Sequence, residues 1–334
     1  AEINPMQYGT IVHYILERFF GEYTKEEYLS LEEDKFQKIV CAYLAEYAVK
    51  YFGEEQLESN SFTYRLKTIL DNVMYLMKHI MEELSQSEFF VADCELKIGE
   101  DIPSYTIVLP DGHKIAVCGS VDRVDIMQRA DITYLRIIDY KTGKKQFKLS
   151  DILYGINLQM LLYLHSIEAS GGDKYGEIVP AGILYMPATV PYISSDSLKS
   201  IDKLPDELNK ELKMNGLLLK DTEIIHGMDK TDAATYIPVK IKAGEPVSST
   251  SLATLAEFGK IFKKVDMLIA EMGKNIYNGN IEAKPLKGGH DSCEYCPYDS
   301  VCAYRQSNPI TCFSVDNKTV IEEITNEING KEEE

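Results

Sequence analysis

"TYLRIIDYKTGKK", residues 133–145, contains the pattern that decides the fold. Apolar and β-branched residues lead into Asp139, Tyr140 and Lys141, and a Thr-Gly turn follows them. Such residues are enriched in strands and glycine marks turns, so residues 133–141 are predicted to form a strand that ends beside a tight turn. Side chains two positions apart on a strand share a face, so Asp139 and Lys141 point the same way. The pair fits either an ordinary cross-strand ion pair or part of a metal-dependent nuclease site.

The surrounding segments predict a mixed α/β fold, because strand patterns and helical patterns follow one another along the chain. Apolar residues recur at helical spacing before and after a group of strand-like segments. The predicted strands are residues 89–98, 104–112, 114–127, 133–141 and 181–188, and the predicted helices are residues 6–20, 25–52, 62–84, 151–169 and 249–278. The stretch from about residue 313 is polar and is expected to be frayed.

Composition excludes some classes of protein and leaves others open. The 334 residues are 45% hydrophobic and 26% charged, which is typical of a globular protein with a sizeable core. The net charge of -18 argues against a general nucleic-acid-coating protein, whose domains usually carry a basic face. The local field matters more than this total, and Lys141, Lys144, Lys145 and Lys148 form a basic run beside the quoted pattern.

The sequence shows no membrane span and no signal peptide. Seven cysteines without the spacing of a disulfide framework favour a reducing, cytoplasmic location. The chain begins "AEINPMQYG" without an initiator methionine, and we expect it to be part of a longer protein.

Two aspartates of the preceding predicted strand, Asp122 and Asp125 in "GSVDRVD", supply further carboxylates. If that strand pairs with residues 133–141, one of them can lie near Asp139. Two neighbouring carboxylates repel each other, and one takes up a proton unless a cation lies between them. A hard, oxygen-seeking ion such as Mg2+ suits that place, and Lys141 would then position a water or neutralise charge on a phosphate.

Four further side chains are candidates, and each also has a structural explanation. His13 lies on the first predicted helix, where a lone histidine is more often structural than a ligand. Gln159 and Tyr163 are four residues apart on the helix after the quoted stretch and share a face, although a tyrosine in a Leu-rich helix is normally part of the core. Glu95 in "CELKI" fits an ordinary carboxylate at a sheet edge.

"GTIVHYILE", "GSVDRVD", "IIDYKTG" and "QMLLY" occur in the order found in the RecB-like branch of the PD-(D/E)XK nucleases, which the chain resembles. Within that branch the chain is similar to the C-terminal nuclease domains of AddB-type proteins, including at residues 214–229 and 293–302. The resemblance implies a restriction-endonuclease-like core with a central mixed sheet flanked by helices. It implies a nuclease domain over residues 1–285 with a helical insertion at about 22–88, a cysteine segment over 286–312, and a polar tail over 313–334.

The resemblance also implies a role for each candidate side chain, carried over by motif position. It makes Lys141 the catalytic lysine, Glu95 a supporting acid, and Arg123 and Asp125 braces of the strand. The implied metal ligands are His13, Asp122, Asp139 and the backbone carbonyl of Tyr140, and the implied DNA-orienting pair is Gln159 and Tyr163. The expected ion is Mg2+, and the histidine ligand allows Mn2+ as a substitute.

The cysteines at 293, 296 and 302 form a C-x2-C-x5-C pattern in a polar, turn-rich stretch, whereas Cys41, Cys94 and Cys118 are predicted to be core residues. Three thiolates at this spacing suit zinc or an iron–sulfur cluster, either of which needs a fourth ligand. The resemblance implies a [4Fe–4S] cluster whose fourth cysteine precedes the first helix, but no cysteine precedes Cys41. Either Cys312 or His290 replaces that ligand, or the cluster is incomplete or absent in this chain.

The favoured function is a metal-dependent DNA exonuclease module of a bacterial helicase–nuclease complex for double-strand break repair, working with an AddA-like partner protein. No "GxxxxGK[ST]" pattern occurs, so the chain is not expected to hydrolyse ATP. The alternatives are a catalytically silent module that binds single-stranded DNA and a zinc-stabilised scaffold protein.

Overall fold

The computed structural model describes residues 3–143, 145–191, 204–248, 250–298, 300–302, 304 and 309–332, apart from the side chains of residues 205, 206, 331 and 332. Five helices come first in the chain. They are α1 (Pro5–Glu22), α2 (Lys25–Leu29), α3 (Glu33–Phe52), α4 (Glu54–Leu57) and α5 (Asn60–Ser85). Asn4 and Gln7 cap the start of α1 reciprocally, and Ile11, Val12 and Ile15 of that helix are fully buried.

The remaining elements alternate between strands and helices. They are β1 (Phe90–Ile98), β2 (Tyr105–Val108), β3 (Lys114–Val117), β4 (Gly119–Arg129), β5 (Ile132–Lys141), α6 (Gln159–Ser170), α7 (Gly172–Tyr175), β6 (Glu177–Pro187), α8 (Leu204–Leu212), β7 (Asn215–Leu219), α9 (Thr222–Met228), β8 (Lys240–Lys242), β9 (Glu245–Val247), β10 (Leu252–Ala253), α10 (Leu255–Tyr277), β11 (Leu286–Gly288), β12 (Ile310–Cys312) and α11 (Asn317–Glu332).

A six-stranded mixed sheet forms the centre, in the order β1-β4-β5-β6-β7-β10. β4 pairs antiparallel with both β1 and β5, whereas β5 and β6 run parallel and are joined through α6. The predicted mixed α/β class, with a central sheet flanked by helices, is confirmed. β5 lies in the interior of this sheet, so its last residues, Asp139 to Lys141, emerge between two paired neighbours.

A buried ionic cluster ties the sheet to α5. Asp125 accepts two hydrogen bonds of 2.7 Å from Arg123 and one of 3.0 Å from Arg136. Glu83 of α5 accepts from Arg136 at 2.6 Å and from Arg123 at 3.1 Å, and all four side chains are fully buried. Two positive and two negative groups offset one another, which is the condition for burying charge.

The region around β3 and α6 differs from the sequence prediction in two places. The strand predicted over 114–127 is two strands, because β3 ends at Val117 and pairs with β2 in a separate two-stranded sheet. The helix predicted over 151–169 is a 3₁₀ helix over Leu149–Tyr154 followed by α6. Gly155 and Asn157 have φ angles of 67° and 54°, which a continuous helix does not allow.

The C-terminal stretch also differs from the prediction. The helix predicted over 249–278 begins only at Leu255, where Thr254 caps α10. The frayed tail predicted from residue 313 is wrong for Asn317–Glu332, because α11 packs against α10 and buries Val320, Ile324 and Ile328. These three apolar side chains recur every four residues and form one helical stripe, which the polar average of the segment conceals. The predicted domain boundaries stay a prediction.

Within the described part of the chain, no helix combines the length and the apolar character needed to cross a membrane.

Candidate active site

The Asp139–Lys141 pair lies at the end of β5. The Lys141 ammonium is 2.6 Å from Oδ2 of Asp139, as expected for side chains two apart on one strand. The Asp139 side chain is 8% exposed and that of Lys141 is 28% exposed. A lysine whose carboxylate partner is buried and whose own head is partly exposed is held in place yet accessible to a ligand.

Three other side chains form a compact group beside this pair. Nδ1 of His13 is 3.1 Å from Glu95, and Nε2 of His13 is 3.7 Å from Oδ2 of Asp122. One ligand atom from each of these residues lies within 4.8 Å of the others, a spacing suited to holding a metal ion. Ser120 donates a 2.9 Å hydrogen bond to the second oxygen of Glu95, which fixes that carboxylate.

Glu95 therefore stands closer to the centre than the sequence indicated, and Asp139 less so. Sequence reasoning gave Glu95 only a supporting role, yet it belongs to the compact group. Asp139, a predicted ligand, lies outside that group and pairs with Lys141. A carboxylate on Nδ1 of a histidine orients the ring so that Nε2 presents its lone pair, which agrees with a supporting role for Glu95.

Electrostatics mark Asp122 as an uncompensated charge. Its Oδ2 accepts a 2.9 Å hydrogen bond from the backbone N–H of Tyr140. Burial, reinforced by the charge of Asp139, nevertheless raises the pKa of Asp122 to about 6, although His13 acts in the opposite direction. A carboxyl group that resists ionisation in the metal-free protein gains most from a nearby cation, which relieves the same repulsion.

His13 responds to the same charges in the opposite sense. Burial alone would lower the pKa of His13, but its hydrogen bond to Glu95 and the charges of Asp122, Glu95 and Asp139 together raise it. Both Asp122 and Asp139 thus lie close enough to act on His13. The tyrosine ring of Tyr140 also contacts the imidazole edge-on, with 5.7 Å between the centroids.

Gln159 and Tyr163 lie on α6 as predicted, where they share one side. Nε2 of Gln159 is 3.5 Å from the Tyr163 hydroxyl, a weak hydrogen bond at most. Tyr163 packs against Gly119 at the start of β4, where an added Cβ would lie 2.2 Å from its hydroxyl. Glycine at position 119 is therefore what lets this tyrosine approach the strand that carries Asp122.

Two cavities flank the end of β5, and Thr142 lines both. One, of about 610 Å³, contains His13, Glu95 and Ser120 in its wall. The other, of about 730 Å³, is lined by Lys141, Lys145 and Tyr185 among others. Sequence reasoning missed Tyr185 and Asn215, because their places beside Asp139 follow from strand pairings far apart in the sequence. Lys144 of the predicted basic run lies outside the described residues.

Comparison with known families agrees with this geometry. A sequence model of the PD-(D/E)XK nuclease superfamily matches residues 1–303. The chain belongs to that superfamily. The resemblance inferred from the ordered motifs is confirmed, whereas the roles of individual side chains within this PD-(D/E)XK domain stay predictions.

Curated relatives of this PD-(D/E)XK protein are named as one subunit, of the AddB type, of an ATP-dependent helicase/deoxyribonuclease. The chain is 34% identical to the relative of that name from Thermoanaerobacter sp. (strain X514), over 90% of this chain and 27% of the relative. It is 32% identical to that from Alkaliphilus oremlandii, over 96% and 29%, and 36% identical to that from Clostridium kluyveri, over 81% and 24%. The chain thus spans about a quarter of the length of these relatives.

The cysteine segment of this PD-(D/E)XK domain does not present a ligand set. Cys293, Cys296 and Cys302 are all described, but their sulfurs are not gathered into a group with metal-binding spacing. Cys312, considered as a fourth ligand, is buried in β12, which pairs with β11. This arrangement does not fit a [4Fe–4S] cluster or zinc, and we derive no chemistry from either. The cluster stays a prediction.

Proposed function

We propose that this chain is a metal-dependent deoxyribonuclease that hydrolyses phosphodiester bonds at the end of β5. The observation that carries the proposal is the Asp139–Lys141 pair, 2.6 Å apart, beside the group formed by His13, Glu95 and Asp122. An ordinary surface ion pair does not account for a neighbouring carboxyl whose pKa is raised to about 6.

The donor set suits a divalent ion such as Mg2+ or Mn2+. Nε2 of His13 and the carboxylates of Asp122 and Asp139 would hold it, and Glu95 would orient the histidine through Nδ1. When bound, such an ion lowers the pKa of a coordinated water and polarises a phosphoryl oxygen. The backbone N–H of Tyr140 restricts the position of the Asp122 carboxylate before any ligand arrives.

Lys141 supplies positive charge where the phosphate would gain negative charge. Its ion pair with Asp139 aims the ammonium group, and its partial exposure leaves donor hydrogens free for a phosphate oxygen or a water. Gln159 and Tyr163 share a helix face near Gly119 and would orient the DNA strand.

The wider setting rests on the names of the relatives. Relatives named as part of an ATP-dependent helicase/deoxyribonuclease support an exonuclease module in a bacterial DNA-repair complex with an AddA-like helicase–nuclease protein. ATP hydrolysis would belong to other parts of that complex, and a cytoplasmic location follows from the proposed role. The main alternative is a catalytically silent module that binds single-stranded DNA in the same complex.

The deciding experiment measures release of nucleotides from end-labelled linear DNA by the 334-residue chain, with Mg2+ and with EDTA. We expect Mg2+-dependent cleavage that falls by about 10²–10³-fold in Lys141→Ala. Asp139→Ala should also abolish cleavage while leaving the melting temperature close to wild type. Lys148→Ala, in the loop after β5, is the matched control and should cleave normally. Strand binding without Mg2+-dependent cleavage in the unmodified chain would instead establish the silent module.

A further inference from the structure

The cavity on the Lys141 side of β5 has a wall built from three neighbouring strands. Asp139 pairs with Tyr185 of β6, and Tyr185 pairs with Asn215 of β7, so the three stand at one level of the sheet. Tyr185 and Asn215 both line the cavity of about 730 Å³. This cavity is therefore continuous with the proposed catalytic pair but separate from the wall that carries His13.

Lys145 provides the cavity with a cation that has no anion to neutralise it. Its ammonium group lies 4.9 Å from the centre of the Tyr185 ring, and no ion pair of Lys145 is found among the described residues. Lys141 lies 5.7 Å from the same ring centre but is engaged by Asp139. The two ammonium groups are at most about 11 Å apart, the sum of these two distances, a span that phosphates of one strand can bridge.

Asn215 holds the loop that carries Lys145. Its Nδ2 donates a 3.0 Å hydrogen bond to the Lys145 carbonyl, and its Oδ1 accepts a 2.7 Å hydrogen bond from the Phe147 N–H. One amide side chain thus bonds the backbone on both sides of Gln146. A cation fixed in this way loses less conformational freedom when it binds an anion.

Tyr185 gives the wall an unsatisfied polar group. Its side chain is 3% exposed, and its hydroxyl has no hydrogen-bond partner among the residues that the structure describes. A buried hydroxyl without a partner carries a cost that a ligand can remove. Together with the uncompensated Lys145, it indicates a place prepared for an anion.

We infer that Lys145, seated on Tyr185 and held by Asn215, binds a backbone phosphate of the DNA strand other than the one cleaved. The inference rests on the proposed function and adds a second point of attachment beside Lys141. Lys145 is a positioning residue, because it holds the strand without touching the reacting phosphate. The cost of removing it appears in binding, whereas the cost of removing Lys141 appears in the chemical step.

The test measures fluorescence anisotropy of a labelled single-stranded oligonucleotide over a range of salt concentrations. Asp139→Asn serves as the cleavage-deficient parent, and Lys145→Gln, Lys145→Arg and Lys148→Gln are each added to it. We expect Lys145→Gln to weaken Kd by about 10-fold, as for loss of one charge-assisted hydrogen bond. The slope of log K against log salt should fall by about 0.7, the value for one phosphate contact on a single strand. Lys145→Arg and Lys148→Gln should keep the parent slope.

Asn215→Ala tests the positioning argument separately. It should weaken binding in the parent but add almost nothing in the Lys145→Gln background, because both changes remove one shared interaction. Additive losses would overturn the role of Asn215 as the residue that holds Lys145.

Two failures are distinguishable. Unchanged Kd and salt slope in Lys145→Gln, with normal binding by the parent, would overturn the phosphate site and leave the proposed nuclease function standing. Failure of the unmodified chain both to bind and to cleave DNA would overturn the proposed function and the inference with it.

Discussion

Asp122 and Asp125 lie three residues apart on β4, and their surroundings are opposite. Asp125 is fully buried between Arg123 and Arg136, whose positive charges outweigh burial and lower its pKa. Asp122 is also largely buried, but it faces Asp139 and has only a histidine as a cationic neighbour, so its pKa rises to about 6. One strand thus carries a carboxylate whose charge is balanced inside the protein and one whose charge is not.

The difference separates a structural charge from a functional one. Burial penalises both carboxylates, and the protein supplies the compensating cations only at Asp125. At Asp122 the compensation must come from outside the protein or from a proton. Sequence alone does not separate them, since both are aspartates of "GSVDRVD". The same substitution at each position, aspartate to asparagine, is therefore the sharpest way to test the contrast.

The largest effect is expected on activity at Asp122. Asp122→Asn should reduce Mg2+-dependent cleavage of linear DNA by about 10³-fold or more, because it removes a charge proposed to hold the metal. The amide oxygen can still accept the hydrogen bond from Tyr140, so the fold should persist. Single-turnover cleavage and circular dichroism of the same sample check both statements. Retained cleavage would remove Asp122 from the proposed site.

The next effect is expected on stability at Asp125. Asp125→Asn leaves Arg123 and Arg136 buried with only Glu83 to balance them, and should reduce the free energy of unfolding by about 3–5 kcal/mol. Urea denaturation of the metal-free chain measures this loss. Asp122→Asn is the matched control, and an equal loss in both variants would show that the two aspartates do not differ in kind.

A smaller effect of the opposite sign is expected for the stability of Asp122→Asn. The folded pKa of about 6 exceeds the unfolded value of 3.8, so the folded chain binds more protons between these values and loses stability as pH rises through them. The variant lacks this loss and should be more stable than wild type by about 1–3 kcal/mol at pH 7.5 without metal.

The paired control for that effect is pH itself. Near pH 4 wild-type Asp122 is protonated in the folded chain, and the advantage of the variant should largely disappear. Added Mg2+ should stabilise the wild type more than the variant. A variant that is less stable than wild type at pH 7.5 in EDTA would show that the Asp122 charge is compensated within the protein.

The same contrast explains how far the sequence could predict the molecule. Local patterns were sufficient for β5 and for the proximity of Asp139 and Lys141, because strand periodicity places residues two apart together. The bracing role of Arg123 and Asp125 agrees with their buried cluster. The group of His13, Glu95 and Asp122 was less accessible, since α1, β1 and β4 meet only through tertiary packing.

Long-range pairing accounts for most of what sequence reasoning missed. Asn215 stands beside Tyr185 because β7 pairs antiparallel with β6, and nothing local in "MNGLLL" indicates that neighbour. The buried stripe of α11 was hidden because the average polarity of the segment masks the spacing of its apolar residues.

The smallest effect tests whether a titratable cation compensates a carboxylate as two arginines do. His165 of α6 stacks on Phe262, and its Nε2 lies 3.2 Å from Asp266. Burial alone would lower the pKa of His165, but its contacts with Asp266 and Glu168 raise it to about 9. The unfolded value is 6.5, so this pairing stabilises the fold fully below pH 6.5 and is lost as pH rises through 9.

Because Asp266 is partly exposed, the contribution is discounted to about 1–2 kcal/mol. We expect the difference in unfolding free energy between wild type and His165→Gln to be largest near pH 6 and to shrink by that amount near pH 9.5. Urea denaturation at the two pH values measures it, and subtracting the variant removes the titration of other groups. A difference that stays constant between the two pH values would mean that His165 acts through packing on Phe262 alone. Charge compensation of a buried carboxylate would then be confined to the arginine cluster around Asp125.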